Sequence, residues 1–128
     1  MKWYLMVWKK SADFSGRSRR KEYWMFFFFN NLIAFMLFIP GLILRHSWIG
    51  TIGFVLYIIY LLAIVVPSLA VSVRRLHDIG ISGWLFLIIL IPVVGPLILL
   101  VMMALEGNPG PNKYGSDPKF AEQYPSIV

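Results

Sequence analysis

"IPVVGP", residues Ile91 to Pro96, lies in the middle of the chain's last apolar stretch, and its reading decides the fold. Two prolines and a glycine interrupt a run, Trp84 to Leu105, that is otherwise long enough to cross a bilayer. Pro92 and Pro96 each remove a backbone donor, and Pro96 pushes the preceding Gly95 away from the α region. Two readings follow. A kinked helix carries the chain across and leaves residues 106–128 on the far side. A pair of half-helices reversing at Val93-Val94-Gly95 returns that tail to the side it came from, and such a re-entrant turn needs cover from protein.

Both readings take lipid as the solvent. Of 128 residues, 59% are hydrophobic and 14% charged, and the mean hydropathy is +0.72. A soluble domain carries roughly 45–50% apolar and 25% charged residues, so this chain has too little polar surface to coat a globule in water. The length fits one membrane domain over residues 1–128. Three stretches, 23–44, 48–73 and 84–105, contain no Asp, Glu, Lys, Arg or His. A helix of 22 residues reaches about 33 Å, against a hydrocarbon core of roughly 30 Å. Backbone groups in lipid must be paired internally, which makes helix the natural conformation. The first stretch exceeds the roughly 7–15 residues of a signal core and lacks a small-x-small cleavage site, so it reads as a retained span. The expected fold is an all-α membrane protein with three transmembrane helices, the third a kinked span or a Pro/Gly-broken hairpin. An interfacial N-terminal helix precedes them and an irregular Gly/Pro-rich tail, 106–128, follows.

The net charge of +6 is local. Lys2, Lys9, Lys10, Arg17, Arg19, Arg20 and Lys21 all precede the first span, within a basic interfacial segment 1–22. Arg74 and Arg75 follow the second span, and only Arg45-His46-Ser47 joins the first two. Positive loops stay inside, so the N-terminus and the second loop are expected in the cytoplasm. "MKWYLMVWKK" mixes Trp3, Tyr4 and Trp8 with lysines, as a helix in the headgroup layer does. Ser15 or Ser18 is expected to cap the first span, with Glu22 at the favourable end of its dipole. Asn30 and Asn31, the strongly polar side chains of that span, are expected to act as packing glue between helices.

"RRLHDIGISGW", Arg74 to Trp84, is the most polar run between spans. His77-Asp78 alone makes no metal site, since zinc needs three or four ligands. The only other histidine, His46, is expected across the membrane. No serine carries a nucleophile-elbow motif, and the absence of cysteine removes thiolate chemistry and disulfides. Neither an enzyme, a metal nor a cofactor is expected. Instead the run reads as a helix stop at Gly80, a turn, and a start with Ser82 as N-cap. Arg74 and Arg75 are expected to meet anionic headgroups there, at about 1 kcal/mol each. Asp78 stands at ion-pair spacing from both. Glu22 or Asp78 is expected to pair with an arginine of the other segment and tie the first two helices together.

"FSGRSRRKEYW" (Phe14 to Trp24), "RRLHDIGISGW" and "GNPGPNKYGSDP" (Gly107 to Pro118) resemble the three signature blocks of small bacterial inner-membrane proteins of the domain-of-unknown-function 805 family. Ser116 departs from the family pattern, which usually has proline there. The resemblance implies an inner-membrane location and no established reaction. It also implies that the tail forms turns docked on something, and docking on the N-terminal block would require the hairpin.

The function expected is that of a non-enzymatic lipid- or partner-binding membrane component. Its candidate residues are Arg17, Arg19, Arg20, Lys21, Arg74 and Arg75 beside Trp24 and Trp84, with Glu22 and Asp78 in interfacial ion pairs. The partners expected are anionic lipids and a membrane protein or a second copy of the chain, not nucleic acid. The alternative is a small transporter or channel subunit acting as an oligomer. Against it stands the absence of ionisable residues within the spans, where coupled transporters usually place them.

Overall fold

Arg20–Ile43 and Trp48–Asp78 form two long helices, α2 and α3, each long and apolar enough to cross a membrane. They belong to a computed structural model that describes residues 1–124. Before them lies α1, Lys2–Lys9; after them come a 3₁₀ segment, Gly83–Leu90, then α4, Val94–Ala104, and a short α5, Pro118–Gln123. The described residues contain no strand, only an isolated bridge between Asn112 and Gly115.

The antiparallel pair α2 and α3 turns through residues 44–47. Ser47 caps α3 by accepting the Ile49 amide. Gly41 and Gly53 face one another where the helices meet: a Cβ on Gly53 would lie 3.3 Å from the Gly41 nitrogen. Small residues let membrane helices approach this closely. Far along the same pair, Asn30 donates to the Phe26 carbonyl and accepts from the Tyr60 hydroxyl on α3.

Burial concentrates at the end of the pair that carries the N-terminal block. Val7 of α1 packs with Phe26 and Val71, flanked by Tyr4, Trp8 and Tyr23. Leu76, Leu99 and Met103 form a second cluster with Trp24, Phe86 and Ile88. Elsewhere the apolar side chains point outward, among them Phe28, Phe35, Met36, Ile59 and Leu62. Soluble monomers rarely expose continuous apolar surface beyond a few hundred Å², and this surface suits hydrocarbon.

The third stretch is not one continuous helix: it breaks into the 3₁₀ segment and α4, where the kinked-span reading had a single bent helix. Eight residues of 3₁₀ helix rise about 16 Å, and eleven of α-helix about the same. Each half therefore covers about half of a roughly 30 Å hydrocarbon core. Between them Val93 takes φ 64° and ψ −59°, and the Val94 amide bonds the Pro92 carbonyl at 2.7 Å. This is the strained hand of the γ-turn. Gly95 then lies so close to the 3₁₀ segment that any side chain would strike the Ile88 carbonyl. The tip is exposed in the single chain, Val93 at 74%, where protein cover was expected. Its prolines leave few donors to satisfy, and the amides of Ile91, Val94 and Gly95 are bonded locally. Two smaller corrections concern caps and tail. Neither Ser15 nor Ser18 caps α2, whose N-cap is Arg19 without a side-chain bond. The tail is not all turn: Asp117 caps α5 and Pro118 opens it, as fixed φ favours at a first helical position.

Candidate functional site

Asp78 is the last residue of α3 and 4% exposed. One carboxylate oxygen accepts from Arg17 Nε at 2.9 Å, and the other from Arg75 Nη1 at 2.5 Å. Gly107 of the tail presses on the same carboxylate so closely that a Cβ would collide with it. Beside this triad, Arg74 Nη1 lies 3.5 Å from Glu22 Oε1, both side chains being almost wholly buried. The pair meets as charges without a well-aligned hydrogen bond, since Glu22 Oε1, Arg74 Nη2 and Ser18 Oγ have no hydrogen-bond partner. Glu22–Arg74 and Arg17–Asp78 each join the N-terminal block to α3.

Three buried arginines against two buried acids leave a positive excess, which backbone carbonyls at helix ends and in the tail absorb. Helix C-termini leave their last carbonyls without intrahelical partners and carry partial negative charge. Arg75 donates to the carbonyls of Met103 and Leu105 at the end of α4. Arg20 reaches the Ala104 carbonyl between them at 3.3 Å. Arg17 donates to the carbonyls of Asn108 and Gly110 at 2.5 and 2.6 Å, and to that of Asp78 at 3.4 Å. A guanidinium suits this work because its five donors form a rigid fork.

The run after α3 supplies the scaffold. Gly80 has φ +78°; its amide bonds the His77 carbonyl, and the Ile81 amide bonds that of Leu76. These are the two bonds of a Schellman stop. Ser82 accepts the Trp84 amide and starts the 3₁₀ segment, as expected. The His77 side chain is held by two contacts. Its Nδ1 donates to the Gly16 carbonyl at 3.1 Å, and its ring lies flat on Tyr114, centroids 3.9 Å apart. Asn112 donates to the His77 carbonyl, and the Asn108 amide to that of Asp78.

The candidate residues therefore separate into two sets. Arg17, Arg74 and Arg75 are buried at 9%, 1% and 0% exposure. The expectation set them at headgroups; in the folded chain their partners are carboxylates and backbone carbonyls. Arg20 and Lys21 are exposed and Arg19 half-buried. Arg19 pairs with Glu122 and covers Trp3, while Arg20 lies 3.5 Å from Glu106. Trp24 lines a groove with Arg20 and Lys21. Trp84, 81% exposed, lies at the start of the 3₁₀ segment and lines a groove with His77 and Tyr114.

Several residues here had no signal in side-chain patterning: Gly107, Asn108, Gly110, Asn112 and Tyr114. Most act through backbone carbonyls or close approach. At the tail's outer edge, Lys119 bonds Glu106 at 2.6 Å. That hydrogen bond, with the charges of Lys119 and Arg20, holds the Glu106 carboxyl below its ordinary value. Burial pulls the Asp117 carboxyl upward. The amides of Lys119 and Gly110, helped by the charges of Arg17 and Lys119, outweigh it and leave Asp117 below its ordinary value. Among the described residues no three His, Asp or Glu side chains group as metal ligands.

The three polar blocks of the sequence thus meet in one knot, and similar proteins share the stretch that contains them. No solved structure matches the chain. It is 46% identical to the inner membrane protein YhaI of Escherichia coli strain K12, over 94% of this chain and 98% of that one. Inner membrane protein YhaH of the same organism is 44% identical over the same shares. The uncharacterized protein YiiR is 33% identical over 82% of this chain and 85% of its own length. The family model described as protein of unknown function, DUF805, matches residues 11–116, from before the first polar block into the third, and the chain belongs to that family.

Proposed function

We propose that this protein is a non-enzymatic, multi-pass component of the bacterial inner membrane that gathers anionic lipid at its cytoplasmic rim. Its N-terminus and tail both lie in the cytoplasm, and the 3₁₀ segment with α4 forms a re-entrant hairpin. Two relatives named as inner membrane proteins support the location. The excess of Lys and Arg around the N-terminal block and the α3 end supports the orientation. One observation carries the lipid reading: the knot withdraws Arg17, Arg74 and Arg75 into protein but leaves Arg20 and Lys21 exposed beside Trp24 at the start of α2. Exposed cations beside an interfacial aromatic suit an anionic leaflet, at about 1 kcal/mol per charge.

Purified protein is to be equilibrated with mixed phosphatidylglycerol and phosphatidylethanolamine, and the co-purifying lipid measured by native mass spectrometry. Enrichment of phosphatidylglycerol that weakens with salt is the expected result, since exposed charges are screened over about 8 Å at physiological ionic strength. Bound lipid that simply mirrors the input mixture overturns the reading. The transporter alternative draws no support from the spans. Asn30 is engaged by Tyr60 and Phe26, Asn31 by the Phe27 carbonyl, and Thr51 by that of Ser47.

A further inference from the structure

The start of α2 and the end of α4 border an open surface groove of about 470 Å³ lined by Arg20, Lys21, Trp24, Met25 and Ala104. A smaller hollow of about 80 Å³ adjoins it, sharing Arg20 and Lys21 and bounded further by Asn108, Asp117 and Lys119. We propose that these two spaces form one site for a single anionic phospholipid with a small polyol headgroup. The phosphate sits between Arg20 and Lys21, the polyol enters the hollow, and an acyl chain runs down past Trp24 and Met25. The inference rests on the lipid reading above and adds a place, a stoichiometry and a headgroup class.

Four observations carry it. The lining changes from cationic to apolar along one direction, as an amphiphile requires. Lys21 makes no ion pair among the described residues, and Arg20 holds Glu106 only at 3.5 Å, whereas Lys119 holds the same oxygen at 2.6 Å. Arg20 also bonds the Ala104 carbonyl at 3.3 Å, so a phosphate takes Lys21 and the remaining donors of Arg20 without disturbing the tighter pair. The acids nearby are already committed: Asp78 to Arg17 and Arg75, Asp117 to the amides of Lys119 and Gly110. The Asn108 side-chain amide makes no hydrogen bond among the described residues and is open to hydroxyl groups. Size sets the headgroup class. A water-sized group needs on the order of 10–15 Å³ of such space, so the hollow of about 80 Å³ suits a three-carbon polyol better than a sugar ring. A bare phosphate monoester would leave it unfilled.

The test compares the full-length protein with three variants by native mass spectrometry, titrating phosphatidylglycerol, phosphatidic acid and phosphatidylethanolamine separately. The wild type is expected to retain one phosphatidylglycerol per chain more tightly than either other lipid. Arg20→Gln with Lys21→Gln should weaken that lipid on the order of thirtyfold, from two interfacial charges. Lys9→Gln with Lys10→Gln removes equal charge elsewhere and should leave it in place. Ala104→Trp plugs the groove at an exposed position and should expel the single tight lipid while the general anionic preference persists. A wild type with no anionic preference sinks the lipid reading itself. An anionic preference indifferent to both Ala104→Trp and the Arg20/Lys21 pair overturns this site alone. Phosphatidic acid held as tightly as phosphatidylglycerol overturns the headgroup assignment.

Discussion

An aspartate has two oxygens, and Asp78 divides them between Arg17 of the N-terminal block and Arg75 of its own helix. Removing its charge strands two buried guanidiniums together. Breaking a buried pair by deleting one partner costs about 3–5 kcal/mol, so Asp78→Asn should lower detergent stability by that order, read as a loss of thermal midpoint. A change near zero would mean that the carbonyls around Arg17 and Arg75 suffice alone. Arg75→Lys tests the fork. An ammonium cannot serve Asp78 and the Met103 and Leu105 carbonyls in the same geometry. Leaving buried acceptors unmet costs about 1–3 kcal/mol, and the variant should fall between wild type and Asp78→Asn in the same melt. Part of this was legible. The spacing of Asp78 from Arg75 and the scarcity of acids near so many cations both pointed to pairing. The burial of Arg74 and Arg75 was not, because a helix that continues past Val73 to Asp78 and is covered by a docked tail looks, in sequence, like one ending in water.

At the scale of elements, the hairpin turns on two features with opposite local energetics. Gly95 is required by contact with Ile88. Val93 is tolerated at φ 64° although its branched side chain resists that region. A residue held in so sparse a region costs about 1–3 kcal/mol, and glycine returns part of that gain as chain entropy. Val93→Gly should therefore stabilise the protein by about 1 kcal/mol in a detergent melt, and destabilisation would show that the valine side chain is needed at the tip. The chain has no cysteine, so topology can be read from one introduced residue. Ser116→Cys, exposed in the tail, should react with an impermeant maleimide in inverted membrane vesicles and resist it in intact spheroplasts. The reverse pattern restores a full third span. Prolines and a glycine announce a break but not its angle, which is why the sequence left kink and reversal open. What closes the hairpin is distant: Arg20 and Arg75, on α2 and α3, bond the carbonyls that end α4. Patterning of side chains is blind to acceptors of that kind.

At the scale of the molecule, the tail works as a strap, and its fastening depends on acids of unequal exposure. Asp78 is buried, Asp117 half-buried and Glu106 exposed. Glu106 and Asp117 are both held below their ordinary values, 4.5 and 3.8. A carboxyl with a depressed native pKa adds stability that is fully present above its unfolded value and disappears as pH falls through the native one. The strap should therefore hold unchanged from neutrality down to about pH 4.5. Below that Glu106 begins to release Lys119. Only under pH 3.8 should Asp117 start to give up the amides of Gly110 and Lys119, which position the loop against Arg17. Hydrogen exchange resolved to residues 106–118, normalised for intrinsic rate, should show protection constant above the first value and lost beneath it as the two carboxylates protonate. Helix α2 should stay protected throughout, since its bonds do not depend on the tail. Release already near neutrality would show that these two carboxylates do not fasten the strap, and that its hold rests on the buried Asp78 contacts and the stacked His77–Tyr114 pair.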